Sequence, residues 1–155
     1  MRNFESIIID FRNSATSPEA KFELIDELVD SIKNSQQVLT FAALIEFEPN
    51  AIIRHEISAQ LLRIKSKNPE LISPINNEIE DTLIKVIKSD LSIVSRHEAI
   101  EALSLIGSLK SDLFLTDLAI VEPNKDILDT IKISLPIIKK RTKIDPIAFG
   151  NCTNA

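Results

Sequence analysis

The chain has 155 residues, of which 44% are hydrophobic and 26% are charged, and its formal net charge is −5. This length suits about one domain, whose core needs neither a disulfide nor a structural metal simply to fold. The acidic charge disfavours nucleic-acid binding, because no basic excess exists to neutralise phosphates. With 2 Gly and neither Trp nor Tyr, the composition disfavours a many-stranded sheet or a glycine-rich nucleotide fold and favours an all-α protein.

The cellular setting is predicted from what the sequence lacks. No segment approaches the ~20 consecutive apolar residues that a membrane-spanning helix needs. The single Cys152 excludes an intramolecular disulfide and a zinc site built on thiolates. We therefore expect a cytoplasmic protein that binds neither a membrane nor nucleic acid.

Amphipathic segments alternate along the chain as the first and second helices of a repeated pair. The first helices are predicted at residues 3–13, 35–47, 75–88 and 109–121, where apolar residues recur at helical spacing. The second helices are predicted to begin at Lys21, Arg54, Arg96 and Leu128, which are 33, 42 and 32 residues apart. This order predicts a short α-solenoid of four HEAT-like helical hairpin repeats.

The repeats are predicted to form one domain over residues 1–140. The longer middle spacing indicates an inserted loop at about residues 66–77, where two Xaa-Pro steps, Asn68-Pro69 and Ser73-Pro74, interrupt the helical pattern and a helical turn can form. Residues 141–155 are predicted to form a polar C-terminal tail.

The chain's 2 histidines lie in Arg-His-Glu triplets at residues 54–56 and 96–98, at the same register of neighbouring repeats. Stacked repeats bring equivalent residues of successive second helices to roughly 10 Å from one another. Two imidazoles and two carboxylates suit iron, manganese or zinc, and spacing alone does not choose among these metals. The predicted metal ligands are His55, Glu56, His97 and Glu98. A repeat copied by duplication can also carry an inert triplet twice, which is the alternative reading.

The three segments at residues 54–59, 96–103 and 128–135 resemble successive second helices of deoxyhypusine hydroxylase. That family consists of HEAT-repeat enzymes with two halves of four repeats each and two His-Glu motifs per half. Together the motifs bind a non-haem diiron centre that activates dioxygen to hydroxylate a lysine-derived side chain. The resemblance covers about residues 21–140, one half of such an enzyme, and implies that the four predicted ligands bind iron.

This sequence also departs from the family's pattern. Residues 60–63 lack the small and glycine residues that usually follow the motif, and the connection between the second and third repeats is longer. We therefore expect a substrate different from that of the family. Arg54 and Arg96 are interpreted as structural, because HEAT-like repeats often place an arginine there for salt bridges between repeats.

Half of a diiron site predicts a two-fold homodimer in which each protomer supplies its ligands across the His-Glu surface. The expected function is an iron-dependent monooxygenase that uses O2 as co-substrate to hydroxylate a small molecule or a peptide side chain. Glu101, one turn beyond His97, is the candidate catalytic residue, as a partner of a ligand or as a substrate contact, and a merely solvated residue fits equally well. The alternative functions are a non-catalytic HEAT-repeat scaffold for a protein partner and a bilin lyase-like or chaperone subunit.

Overall fold

A computed structural model of the chain describes residues 2–142, and every regular element in that range is a helix. The predicted all-α class is therefore confirmed. The helices in chain order are α1 (Phe4–Arg12), α2 (Pro18–Ser31), α3 (Ser35–Ala43), α4 (Ala51–Lys67), α5 (Pro69–Ile72), α6 (Asn76–Ser89), α7 (Ile93–Ile106), α8 (Leu109–Val121) and α9 (Lys125–Thr142). Short 3-10 turns follow α3 at Leu44–Glu46 and α5 at Ser73–Ile75.

The long second helices begin three residues earlier than predicted, at Pro18, Ala51, Ile93 and Lys125. The predicted starts were residues at equivalent positions of the repeats. In the structure, each helix begins directly after its capping residue, one turn earlier. Asn50, for example, accepts hydrogen bonds from the backbone N–H groups of Ile52 and Ile53, which have no partner within the helix. The triplets therefore lie at the end of the first turn of their helices.

The longer spacing in the middle of the chain contains helical turns. Helix α4 continues to Lys67, and the short helix α5 and the turn Ser73–Ile75 occupy most of the segment predicted as an inserted loop. At the C-terminus, α9 extends to Thr142, so two residues of the predicted tail are helical. Residues 143–155, including Cys152, lie outside the described part of the chain.

The helices pack in an order that follows the chain. Helices α2, α4, α7 and α9 contact one another in that sequence, while α1, α3, α6 and α8 pack respectively against them. Fully buried aliphatic residues fill the space between them, among them Ile57, Leu61, Leu103 and Ile131. The two triplets consequently lie on directly adjacent helices, α4 and α7. Within residues 2–142, no helix is both long and apolar enough to cross a membrane.

Candidate metal centre

A row of ion pairs joins the first turns of the second helices to the turns that precede the next ones. The pairs are Lys21 with Glu48, Arg54 with Asp90, and Arg96 with Glu122. Their members occupy equivalent positions in successive repeats of the pattern. The prediction that Arg54 and Arg96 form structural salt bridges is therefore confirmed.

The Arg54 pair illustrates why these contacts set the relative position of α4 and α7. Its guanidinium binds Asp90 through two parallel hydrogen bonds, Nε to Oδ2 at 2.6 Å and Nη2 to Oδ1 at 2.8 Å. The remaining terminal nitrogen donates to the carbonyl oxygens of Glu48 and Pro49 at 2.9 and 2.8 Å. A planar fork held on both sides tolerates little displacement, so it aligns the residues that follow it in each triplet.

His55 reaches across from α4 to the carboxylate of Glu98 on α7, and His55 Nε2 lies 3.2 Å from Glu98 Oε2. Glu98 is buried, with 9% of its surface accessible. The two histidine-bearing helices thus share a direct side-chain contact. The imidazole of one triplet meets the carboxylate of the other.

His97 makes different contacts with its two ring nitrogens. Nε2 lies 3.2 Å from Glu101 Oε1, one turn further along α7. Nδ1 lies 2.7 Å from the hydroxyl oxygen of Thr130 on α9. Donor atoms from His97, Glu98 and Glu101 all fall within 4.8 Å of one another, so these three residues could hold one metal ion together.

Glu56 lies outside that close group. Its Oε1 accepts a hydrogen bond of 2.8 Å from the side-chain amide of Gln60, and Gln60 accepts one of 3.2 Å from Arg63 in turn. Of the four predicted ligands, the structure places His97 and Glu98 in the close group, and His55 is joined to it by its contact with Glu98. The structure adds Glu101, the predicted catalytic residue, to the cluster.

The electrostatic environment of Glu98 favours a bound proton. Burial raises the pKa of its carboxyl above the ordinary value, because desolvation penalises the charged form. The charges of Glu101 and Glu56 raise this pKa further, while the imidazoles of His55 and His97 lower it. A buried carboxylate among other carboxylates gains from any cation that can replace the proton.

The donor set and its spacing fit a divalent metal. Ligand atoms about 2.1 Å from a common metal lie about 3.0 Å apart at a right angle and about 3.4 Å apart at the tetrahedral angle. The two imidazole–carboxylate distances, His55 to Glu98 and His97 to Glu101, are both 3.2 Å. Nitrogen and oxygen donors without sulfur suit iron, manganese and zinc alike.

Thr130 is the residue at this site that the sequence analysis did not single out. It is 5% exposed and lies on α9 at the register that Glu98 holds on α7, 32 residues earlier. That spacing equals the predicted distance between the starts of the last two second helices. Aligning the repeats therefore places Thr130 at the position of the predicted ligand Glu98. A threonine attracts less attention than a histidine because its hydroxyl can serve many purely structural purposes.

Comparison of the chain with protein-family models, with curated proteins and with solved structures gives no significant match.

Proposed function

We propose that the chain is a non-haem iron oxygenase built from four HEAT-like helical hairpin repeats, with a diiron centre shared by two copies of the chain. The observation that carries the proposal is the close group of His97, Glu98 and Glu101 on α7, which His55 of α4 contacts through Glu98. The packing order of the helices supports a solenoid, since each second helix contacts the next one along the chain.

Each protomer would hold iron through His55, His97 and Glu98, and Glu56 would contribute through the oxygen that Gln60 does not occupy. Bound iron would supply the redox chemistry that activates O2. Hydroxylation places one oxygen atom in a substrate C–H bond and releases the other as water, and an external one-electron carrier provides the two electrons. Glu101, whose side chain is 47% exposed, can hold a proton at the solvent edge of the cluster.

The surroundings of the cluster support a homodimer at this surface. Ile52 lies one turn before His55, and Val94 lies one turn before His97, with 49% and 45% of their surfaces exposed. Ile133, one turn after Thr130, is 69% exposed. Apolar side chains around a polar cluster are typical of a face that another surface covers. A two-fold axis there would bring two sets of ligands together.

The proposal is tested by loading the purified chain anaerobically with Fe²⁺ and measuring iron per chain, mass in solution and O2 consumption with ascorbate as reductant. We expect bound iron, a dimer and reductant-dependent O2 uptake. The variants His55→Gln and His97→Gln should each lose iron. A strictly monomeric chain without iron would contradict the proposal and favour the protein-interaction scaffold or the bilin lyase-like or chaperone subunit.

A matched control is available on α2. Glu23 is exposed and lies at the register of Glu56 and Glu98, two residues after Lys21. The variant Glu23→Gln removes a carboxylate from the same repeat position without touching the cluster. It should keep the iron content of the unmodified chain, and an equal loss of iron in this variant would show that the effect is not specific to the site.

A further inference from the structure

The hydroxyl of Thr130 lies in a short chain of hydrogen bonds between α7 and α9. Thr130 Oγ1 is 2.7 Å from His97 Nδ1 and 2.8 Å from the backbone carbonyl oxygen of Asp126, one turn earlier on α9. Thr130 is buried, and the α7–α9 contact holds it against the imidazole.

The directions of these two bonds follow from the number of hydrogens. A hydroxyl has a single hydrogen, and the Asp126 carbonyl oxygen can only accept, so the Thr130 hydrogen is used there. The Thr130 oxygen then accepts from His97, which places the ring proton on Nδ1. In the neutral imidazole, Nε2 consequently carries a lone pair instead of a hydrogen.

Nε2 of His97 faces the carboxylate oxygen of Glu101 at 3.2 Å. Two atoms with lone pairs repel each other at this distance unless a proton or a metal ion lies between them. In the metal-free chain the Glu101 side chain, which is 47% exposed, can turn away from Nε2 and relieve this repulsion. With Nδ1–H held by Thr130, Nε2 is presented as a ligand towards Glu101 and the neighbouring Glu98. No hydrogen bond from Thr130 or an equivalent hydroxyl fixes His55 among the described contacts.

We infer that Thr130 is a positioning residue that holds His97 in its Nδ1–H form and so directs Nε2 at a divalent cation that Glu98 also binds, beside Glu101. The claim that Nε2 binds a metal rests on the proposed function, whereas the claim that the ring proton lies on Nδ1 does not. Partners of this kind, which contact a ligand and not the metal, orient the ring and raise its basicity.

The form of the ring is tested on the metal-free chain with ¹⁵N-labelled histidine, at a pH of about 9, above the range in which imidazoles ordinarily titrate. We expect the chemical shifts of His97 to show Nδ1–H in the unmodified chain and in Thr130→Ser. In Thr130→Val, which keeps the side-chain shape but has no oxygen, we expect the Nε2–H form that a free imidazole prefers.

Metal affinity is tested by titrating the same proteins with Co²⁺ and following its visible absorption. Thr130→Val should weaken Co²⁺ binding by roughly 10- to 100-fold, and Thr130→Ser should retain it. Thr82→Val is the matched control. Thr82 Oγ1 also donates to a backbone carbonyl oxygen one turn earlier, that of Glu78 at 3.0 Å, but it lies on α6, away from the site. This control should change neither measurement.

The outcomes separate the inference from the proposed oxygenase. An Nε2–H ring in the unmodified chain, or equal Co²⁺ affinity in Thr130→Val and the unmodified chain, would overturn the role of Thr130 even if O2 is consumed. Absence of O2 uptake from a chain that binds Co²⁺ with the expected dependence on Thr130 would overturn only the oxygenase proposal. A chain that binds no Co²⁺ would overturn the metal role of Thr130 together with the proposed function.

Discussion

The α4–α7 and α7–α9 junctions have the same framework and different chemistry. In both, an arginine of the earlier helix pairs with a carboxylate in the turn before the later one: Arg54 with Asp90, and Arg96 with Glu122. The next residue is a histidine in each case. His55 meets the carboxylate of Glu98, however, whereas His97 meets the hydroxyl of Thr130.

The ion pairs and the contacts of the histidines are therefore independent features of each junction. The pairs set the register of neighbouring helices and recur wherever two second helices meet. A single residue in that register then decides whether the imidazole faces a carboxylate or a hydroxyl. Within the described residues, the imidazole–carboxylate contact between helices is therefore found at the α4–α7 junction, and α9 contributes a hydrogen bond to His97 instead.

The largest expected effect comes from breaking the shared framework. Arg96→Ala leaves the Glu122 carboxylate, with a side chain 4% exposed, without its partner, and Arg54→Ala does the same to Asp90, with a side chain 7% exposed. Each variant should lower the free energy of unfolding by about 3–5 kcal/mol, measured by urea denaturation, because a buried charge is left uncompensated.

Lys132→Ala serves as the control for this experiment. Lys132 pairs with Asp129 on the surface of α9, where the two side chains are 70% and 49% exposed. Its removal should leave the free energy of unfolding nearly unchanged, because solvent screens an exposed pair. Similar losses for the exposed pair and the two buried pairs would contradict the framework role of Arg54 and Arg96.

A smaller effect on the free energy of unfolding is expected when the α7–α9 junction is given a carboxylate like the one at the α4–α7 junction. Thr130→Glu places a carboxylate on α9 at the register of Glu98. Because the position is buried, the metal-free variant should lose about 2 kcal/mol of unfolding free energy. Added Co²⁺ should recover stability, since the new carboxylate lies beside the imidazole of His97, and differential scanning calorimetry with and without Co²⁺ measures this.

Ser134→Glu is the matched variant, one turn further along α9 and also buried. It should lose comparable stability without recovery, because no imidazole is known to contact that position in the described structure. Equal responses of the two variants to Co²⁺ would show that proximity to His97 is irrelevant.

The smallest effect concerns the pH dependence of stability, which both junctions should share. The hydrogen bond from Arg96 lowers the pKa of Glu122 and outweighs the opposing effect of burial. For Asp90, burial is the largest single influence and raises the pKa, but hydrogen bonds from the Arg54 guanidinium and the Ser92 N–H together lower it. Acids with lowered pKa values stabilise the fold above their unfolded pKa of about 4, and this stability is lost as pH falls through the folded pKa.

Urea denaturation between about pH 6 and pH 3 measures this dependence around the unfolded pKa values. Asp90→Asn and Glu122→Gln should each make the loss of unfolding free energy at acid pH less steep, and the double variant should reduce it further. Unchanged slopes in all three variants would mean that these ion pairs do not control acid stability.

The helices and the ion pairs between them were predictable from the amino-acid sequence. The spacing of apolar residues predicted every long helix, because an amphipathic stripe depends only on residues within the same helix. The recurrence of Arg-His-Glu in one register predicted that α4 and α7 would place their histidines near each other. The likeness to HEAT-like repeats predicted that both arginines would be structural.

The contacts between individual side chains of the site depend on how the helices pack. The relative shift of two packed helices pairs His55 with Glu98 and leaves Glu56 with Gln60, although Glu56 and Glu98 hold the same position in their triplets. It likewise places Thr130 against His97. These contacts depend on packing between helices and on the ring orientation of each imidazole, and neither is encoded in the periodicity of a single segment.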